Sequence, residues 1–252
     1  MARLTLLLVL LWVGTTVSTV VDVHKRIIGG QQCNPTERLY HVKLVDQNNN
    51  LVCGGSLISD EWVLTVAHCW KPELFVIVGV HPGPGKRVEV IKPPETIEDH
   101  DIMLLKIEKF KIKVQPIKLG DCTTKPQLGA SVQIAGHGPT NVNSKNEFDP
   151  AKRPTDELHC ADIDVVDCEG FRNTRKNTNP KAYKAKEHEH WLCGQTPGKD
   201  ICKGDSGGGV VHEGKIYGVI VVGYPPLVCK EPFAFMDICN KEYADWIEKI
   251  IK

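Results

Sequence analysis

The chain has 252 residues, with 31 Lys and Arg balancing 31 Asp and Glu, so its formal net charge is zero with histidine neutral. That balance supplies no drive toward nucleic acid or an anionic membrane surface, and the length suffices for a substantial buried core. Ten cysteines point to an oxidising compartment and as many as five bridges, whose pairing arithmetic alone leaves open.

In chain order, Met1-Ala2-Arg3 is followed by an apolar run over residues 4–13. At about ten residues this run is too short to span a bilayer and has the form of a secretory signal, expected to occupy residues 1–18. No later stretch is long enough for a membrane span, so a secreted, extracellular product is expected. Lys25-Arg26 precedes Ile27-Ile28-Gly29-Gly30, which makes residues 19–26 a candidate activation peptide. Short alternating or apolar runs then recur between Gly, Pro and Asn: residues 41–45, 51–53, 62–65, 75–80, 87–91, 103–107, 132–135, 158–166, 210–211, 216–222 and 233–238. They predict an all-β pair of domains, with the break in the turn-rich stretch 120–129. From Lys241, residues Tyr243, Trp246, Ile247, Ile250 and Ile251 repeat at helical spacing and predict one amphipathic C-terminal helix.

Two segments lack periodicity and read as polar surface loops, residues 141–154 and the stretch between Cys168 and Cys193. The second carries Arg172, Arg175, Lys176, Lys181, Lys184 and Lys186, a solvated charge run by default and a polyanion or substrate exosite as the alternative. His188-Glu189-His190 also lies there, but one His pair without a third ligand makes no metal site, and no metal or cofactor is expected.

The chemistry is concentrated in three places. Lys203-Gly204-Asp205-Ser206-Gly207-Gly208-Gly209 sets one hydroxyl in a glycine-rich turn, with the amides of Gly204 and Ser206 near it. A serine needs a base and a group to orient that base. Thr65-Val66-Ala67-His68-Cys69 follows an apolar strand, and Asp99-His100-Asp101 opens another. Taken singly these read as a turn, a structural histidine and a cap. The order His, Asp, Ser together with Ile27-Ile28-Gly29-Gly30 resembles the chymotrypsin/trypsin family of serine proteases from Ile27 to Lys252.

The resemblance implies two six-stranded antiparallel β-barrels, about residues 27–122 and 123–240, and a C-terminal helix at about 241–251. It implies His68, Asp101 and Ser206 as the catalytic triad, and Gly204 and Ser206 as the oxyanion hole. A trypsin-like protease would cleave after Arg26, freeing the Ile27 ammonium to pair with Asp205. Bridges are implied for Cys53–Cys69, Cys33–Cys160, Cys122–Cys239, Cys168–Cys193 and Cys202–Cys229. Protein or peptide substrates, protein inhibitors, a monomer and no nucleic-acid partner complete the expectation.

Substrate choice is less uniform. Asp200, six residues before Ser206, matches the carboxylate that pairs a basic side chain in trypsins. The rest of the expected pocket is Val221, Val222, Gly223 and Phe233, and it departs from trypsins at three of these: the valines stand in place of Ser-Trp, and Phe233 in place of a glycine. His137 likewise stands where the family has tryptophan. Three readings are open at this point: an endopeptidase with an altered pocket, a weakly active or inactive homologue that binds other molecules, and a basic-loop binding module on a protease scaffold.

Overall fold

A computed structural model describes residues 27–110, 113–139, 154–222 and 231–252. The candidate activation residue Arg26, the pocket residue Gly223, Cys229 and most of the 141–154 loop lie outside these. Seven strands come first: β1 (Gln31–Gln32), β2 (His41–Val45), β3 (Leu51–Leu57), β4 (Trp62–Thr65), β5 (Phe75–Val78), β6 (Lys86–Thr96) and β7 (Met103–Ile107). β2 to β7 close into an antiparallel barrel in the order β2-β3-β4-β7-β6-β5. Val63 and Leu64 of β4 face Leu105 and Leu104 of β7, and all four are fully buried. β6 runs past the expected end at residue 91 because its register breaks between Ile91 and Glu95. Pro93 and Pro94 lack the N–H a ladder needs, and the strand resumes pairing beyond them.

The second barrel is built from β8 (Ser131–Gly136), β9 (His159–Val166), β10 (Trp191–Gly194), β11 (Gly209–His212), β12 (Lys215–Val222) and β13 (Phe233–Asp237). The order is β8-β9-β10-β13-β12-β11, and Val211 opposite Gln133 closes the ring. β1 crosses to pair with β9, Gln31 opposite Cys160, so the start of the described chain is fastened to the second barrel. The fold class is therefore as the resemblance implied.

The segment between Cys168 and Cys193 departs from expectation: it is not an irregular loop but two helices, α1 (Glu169–Thr178) and α2 (Pro180–Lys186), followed by β10. Asn179 caps α2 by accepting from the Ala182 amide, and Pro180 takes the first helical position, where its missing N–H costs nothing. Phe171 anchors α1, buried edge-on against Trp191 at 5.2 Å. The charge run is largely engaged: Arg172 lies over the Trp191 ring and Arg175 over Phe171, while Lys184 pairs with Glu187 and Lys186 with Glu189. This favours the solvated-face reading over a polyanion exosite. The C-terminal helix, α3 (Lys241–Ile251), is capped by the Asn240 side chain and buries Tyr243 and Ile247.

Among the described residues four bridges form, Cys33–Cys160, Cys53–Cys69, Cys122–Cys239 and Cys168–Cys193. The fifth expected pair has its second member, Cys229, outside the described residues. Cys122 and Cys239 are 117 residues apart, so their bond closes one of the longest loops and ties the inter-barrel segment to the base of α3. Replacing both by serine should lower the unfolding free energy by about 2–4 kcal/mol. Denaturant titration of the double variant measures this, and non-reducing peptide maps of the wild type should recover the Cys122–Cys239 peptide.

Candidate active site

His68 sits in the 3₁₀ turn Ala67–Cys69 that follows β4, and Asp101 lies two residues before the start of β7, the strand paired with β4. Pairing of those two strands brings the residues together. Asp101 Oδ1 accepts from the His68 amide at 2.8 Å, and Oδ2 lies 2.7 Å from Nδ1. Both oxygens thus fix one residue, main chain and ring, and the ring is left with Nε2 as its remaining nitrogen. Burial pushes the Asp101 carboxyl up, but the bonds and charge of His68, aided by Lys186, outweigh it and hold the group below its ordinary value. Asp101 is therefore the anion of the pair.

Ser206 comes from the other barrel, in the turn that leads into β11. Gly207 has φ +83°, and a Cβ there would run into the Gly54 carbonyl and the Thr65 hydroxyl. Only glycine permits this contact, which presses the Ser206 turn onto the first barrel. The Gly54 amide donates to the Ser206 carbonyl at 2.8 Å, and Gly207 donates to Ile220 O at 2.7 Å. The serine hydroxyl itself donates to the Val221 carbonyl at 3.1 Å. Among the described residues, neither the Gly204 nor the Ser206 amide is taken up by a hydrogen bond.

Asp205 is fully buried behind the turn. Its carboxylate accepts from the Gly138 and Cys202 amides, both at 2.8 Å. Burial pushes its pKa up to about 7 despite those two bonds. His137, next to Gly138, is also buried and is kept neutral, its pKa lowered to about 3 by burial; Nδ1 lies 3.1 Å from the Thr155 carbonyl.

Asp200 is 6% exposed, donates its amide to Ile28 O and accepts from the Ile201 amide through Oδ1. Phe233 is 1% exposed, opposite Gly194 in the β10–β13 ladder, in one cluster with Ile201, Ile220 and Phe235. Its ring is thus part of the core of the second barrel rather than an exposed flap. Val221 is buried in β12, and its expected neighbour Gly223 lies beyond the described residues. A cleft of about 990 Å³ is bordered by Gly204 and lined by Lys43, Leu51, Arg87, Asp156 and Lys203.

The one group of His, Cys, Asp and Glu close enough for a metal among the described residues is Cys53, His68 and Cys69. Its two sulfurs are bonded to each other, so it holds no ion. Two residues passed over in the sequence matter here. Lys203 borders the cleft. Glu189, read only as the middle of a His pair, is 2% exposed and reaches the Asp101 segment; a carboxylate flanked by Lys186 and Trp191 was the available signal.

The family model described as Trypsin matches residues 27–247. The chain belongs to the trypsin family. Among curated relatives of this trypsin-family protein, human Kallikrein-8 is 32% identical over 245 positions, covering 90% of this chain and 86% of its own. Dog anionic trypsin is 31% identical over 264, covering 97% of each. A solved structure of neuropsin, described as a serine protease expressed in the limbic system of mouse brain, superposes with a TM-score of 0.70 at 28% identity. It covers 88% of this chain and 99% of that one. This trypsin-family chain is accordingly a serine endopeptidase, and no described helix is long and apolar enough to cross a membrane.

Proposed function

We propose that the protein is a secreted serine endopeptidase, made as a single-chain precursor, that cleaves protein substrates with His68, Asp101 and Ser206. His68 Nε2 takes the Ser206 proton as the hydroxyl attacks the scissile carbonyl, and returns it to the leaving amine. Asp101 holds the imidazole and balances its charge. The Gly204 and Ser206 amides stabilise the oxyanion, and loss of one such donor costs roughly 3–4 kcal/mol in related sites. The observation that carries the reading is the two-point grip of Asp101 on His68, which leaves Nε2 as the ring nitrogen available for the base role. The hydroxyl must rotate away from Val221 O to meet it.

A trypsin-like protease cutting after Arg26 would act as activator, and protein inhibitors that fill the cleft are the expected antagonists. Asp200 favours a basic side chain in the primary pocket, whereas Phe233, standing where the family has a glycine, would narrow the approach to it. That obstruction, with the hydroxyl resting on Val221 O, supports a second reading in which the site is inert and the surface binds. One experiment separates the two. The chain cleaved after Arg26 should label with a fluorophosphonate, and Ser206→Ala should abolish the labelling. Absence of labelling in the cleaved wild type would leave the binding-protein reading standing.

A further inference from the structure

The helical insert between Cys168 and Cys193 grips the catalytic segment at three points. The Lys186 ammonium, at the end of α2, donates to the Asp99 carbonyl at 2.8 Å, and His188 Nε2 lies 3.2 Å from the same oxygen. Glu189 Oε1 accepts from the Asp101 amide at 2.9 Å. Asp99 has φ +61°, in the left-handed region that non-glycine residues enter only when neighbours hold them there.

Glu189 is the centre of this grip. Its side chain is 1% exposed, and its second oxygen accepts from Trp191 Nε1 at 2.8 Å, while Lys186 lies 2.9 Å from the first. A buried carboxylate with three donors is fully satisfied, and its geometry is fixed by strand β10 on one side and α2 on the other. The groups facing it are Lys186, the Asp101 amide and Trp191, with His188 and His190 as chain neighbours. The Asp101 carboxylate, for its part, takes both its main-chain and its ring contact from His68. Where that carboxylate stands therefore depends on where its own main chain is held.

The structure assigns Glu189 as a positioning residue for the triad, acting through the Asp101 amide and braced by Lys186. This rests on the triad reading above. The insert thereby acquires a structural role, since its last cation and first buried acid fasten residues 99–101 instead of presenting charge to a partner.

The test uses full-length protein cleaved after Arg26, with Glu189→Met, which keeps length but removes both acceptors, and Glu189→Gln, which keeps one. Two quantities are measured: the second-order rate of fluorophosphonate labelling at Ser206, and the downfield proton resonance of His68 Nδ1–H. Displacing a catalytic group by about 1 Å can cost on the order of a hundredfold, so Glu189→Met should label at least about tenfold more slowly. Its resonance should broaden or move, and Glu189→Gln should recover part of both. Glu187→Ala, on the exposed ion pair with Lys184, should match wild type. A folded Glu189→Met with wild-type rate and resonance overturns the assignment. Should that variant not fold, Glu189→Gln decides, and wild-type values of both quantities overturn it. If wild type itself does not label, the protease reading falls, while the resonance still tests Glu189.

Discussion

Arg26→Gln should remain latent after treatment with a trypsin-like activator, with hydrolysis roughly 10²–10³-fold below that of the cleaved wild type, the scale of a missing oxyanion contact. Asp205 is the reason. Its carboxylate is fully buried, its partners among the described residues are two main-chain amides, and its pKa is raised to about 7. A buried anion without a cation is costly, and a new ammonium at Ile27 would supply one. Ile27 is itself buried, and Ile28 pairs with Asp200, five positions before Asp205 in the chain. Burial of this carboxyl also sets the sign of a pH effect. The folded single chain keeps the Asp205 proton up to about pH 7, whereas the unfolded chain releases it near 3.8. Folded stability therefore declines as pH rises between those values, and the loss is complete above 7. Asp205→Asn should remove that decline from the uncleaved protein, and cleavage should reduce it in the wild type. An uncleaved Arg26→Gln as active as processed wild type would refute the activation scheme.

Phe233→Gly should raise kcat/KM for arginyl substrates at least about tenfold, equivalent to roughly 1.4 kcal/mol of transition-state binding. Asp200 offers the charge a guanidinium seeks, yet Phe233 stands where trypsins have the glycine that lets a long side chain pass, and its ring is packed with Ile201, Ile220 and Phe235. A substrate kept from its ion pair also loses its alignment at Ser206, so the penalty falls on kcat/KM. The ring is equally part of the core, and its removal should cost stability, of order 3–5 kcal/mol for a buried phenylalanine. Activity is therefore to be compared below the lowered melting temperature. Fluorophosphonate labelling of Ser206 should differ little between the two proteins. Equal arginyl hydrolysis by both would restore the simple preference for basic residues suggested by Asp200.

Much of the barrel framework was legible because its strands are apolar on both faces or alternate strictly. Residues 41–45, 62–65 and 103–107 coincide with β2, β4 and β7. β10 was missed: four residues between a histidine and a glutamine carry too little pattern to separate from a turn. The helices α1 and α2 were missed because they bury one phenylalanine between them, so the hydrophobic period is absent. Asn179-Pro180 was the cue available, a cap followed by proline at the first helical position. His68, Asp101 and Ser206 stood out through local motifs. The hydroxyl's rest on Val221 O and the Glu189 bond to Asp101, 88 residues away, are products of tertiary packing that no local pattern encodes.

The bridge pattern has a consequence for reversibility. Every cysteine in the chain stands at position 33 or later, and the four bonds among the described residues join positions between 33 and 239. Residues 19–26 thus have no covalent tie except the peptide bond to Ile27. If the chain is cut after Arg26 as proposed, this segment passes from tethered, with a high effective concentration, to its bulk concentration, lower by orders of magnitude. Under that scheme nothing would bring the detached segment back, so cleavage would work as a ratchet. Restraint of the mature enzyme would then have to come from separate molecules rather than from its own leader.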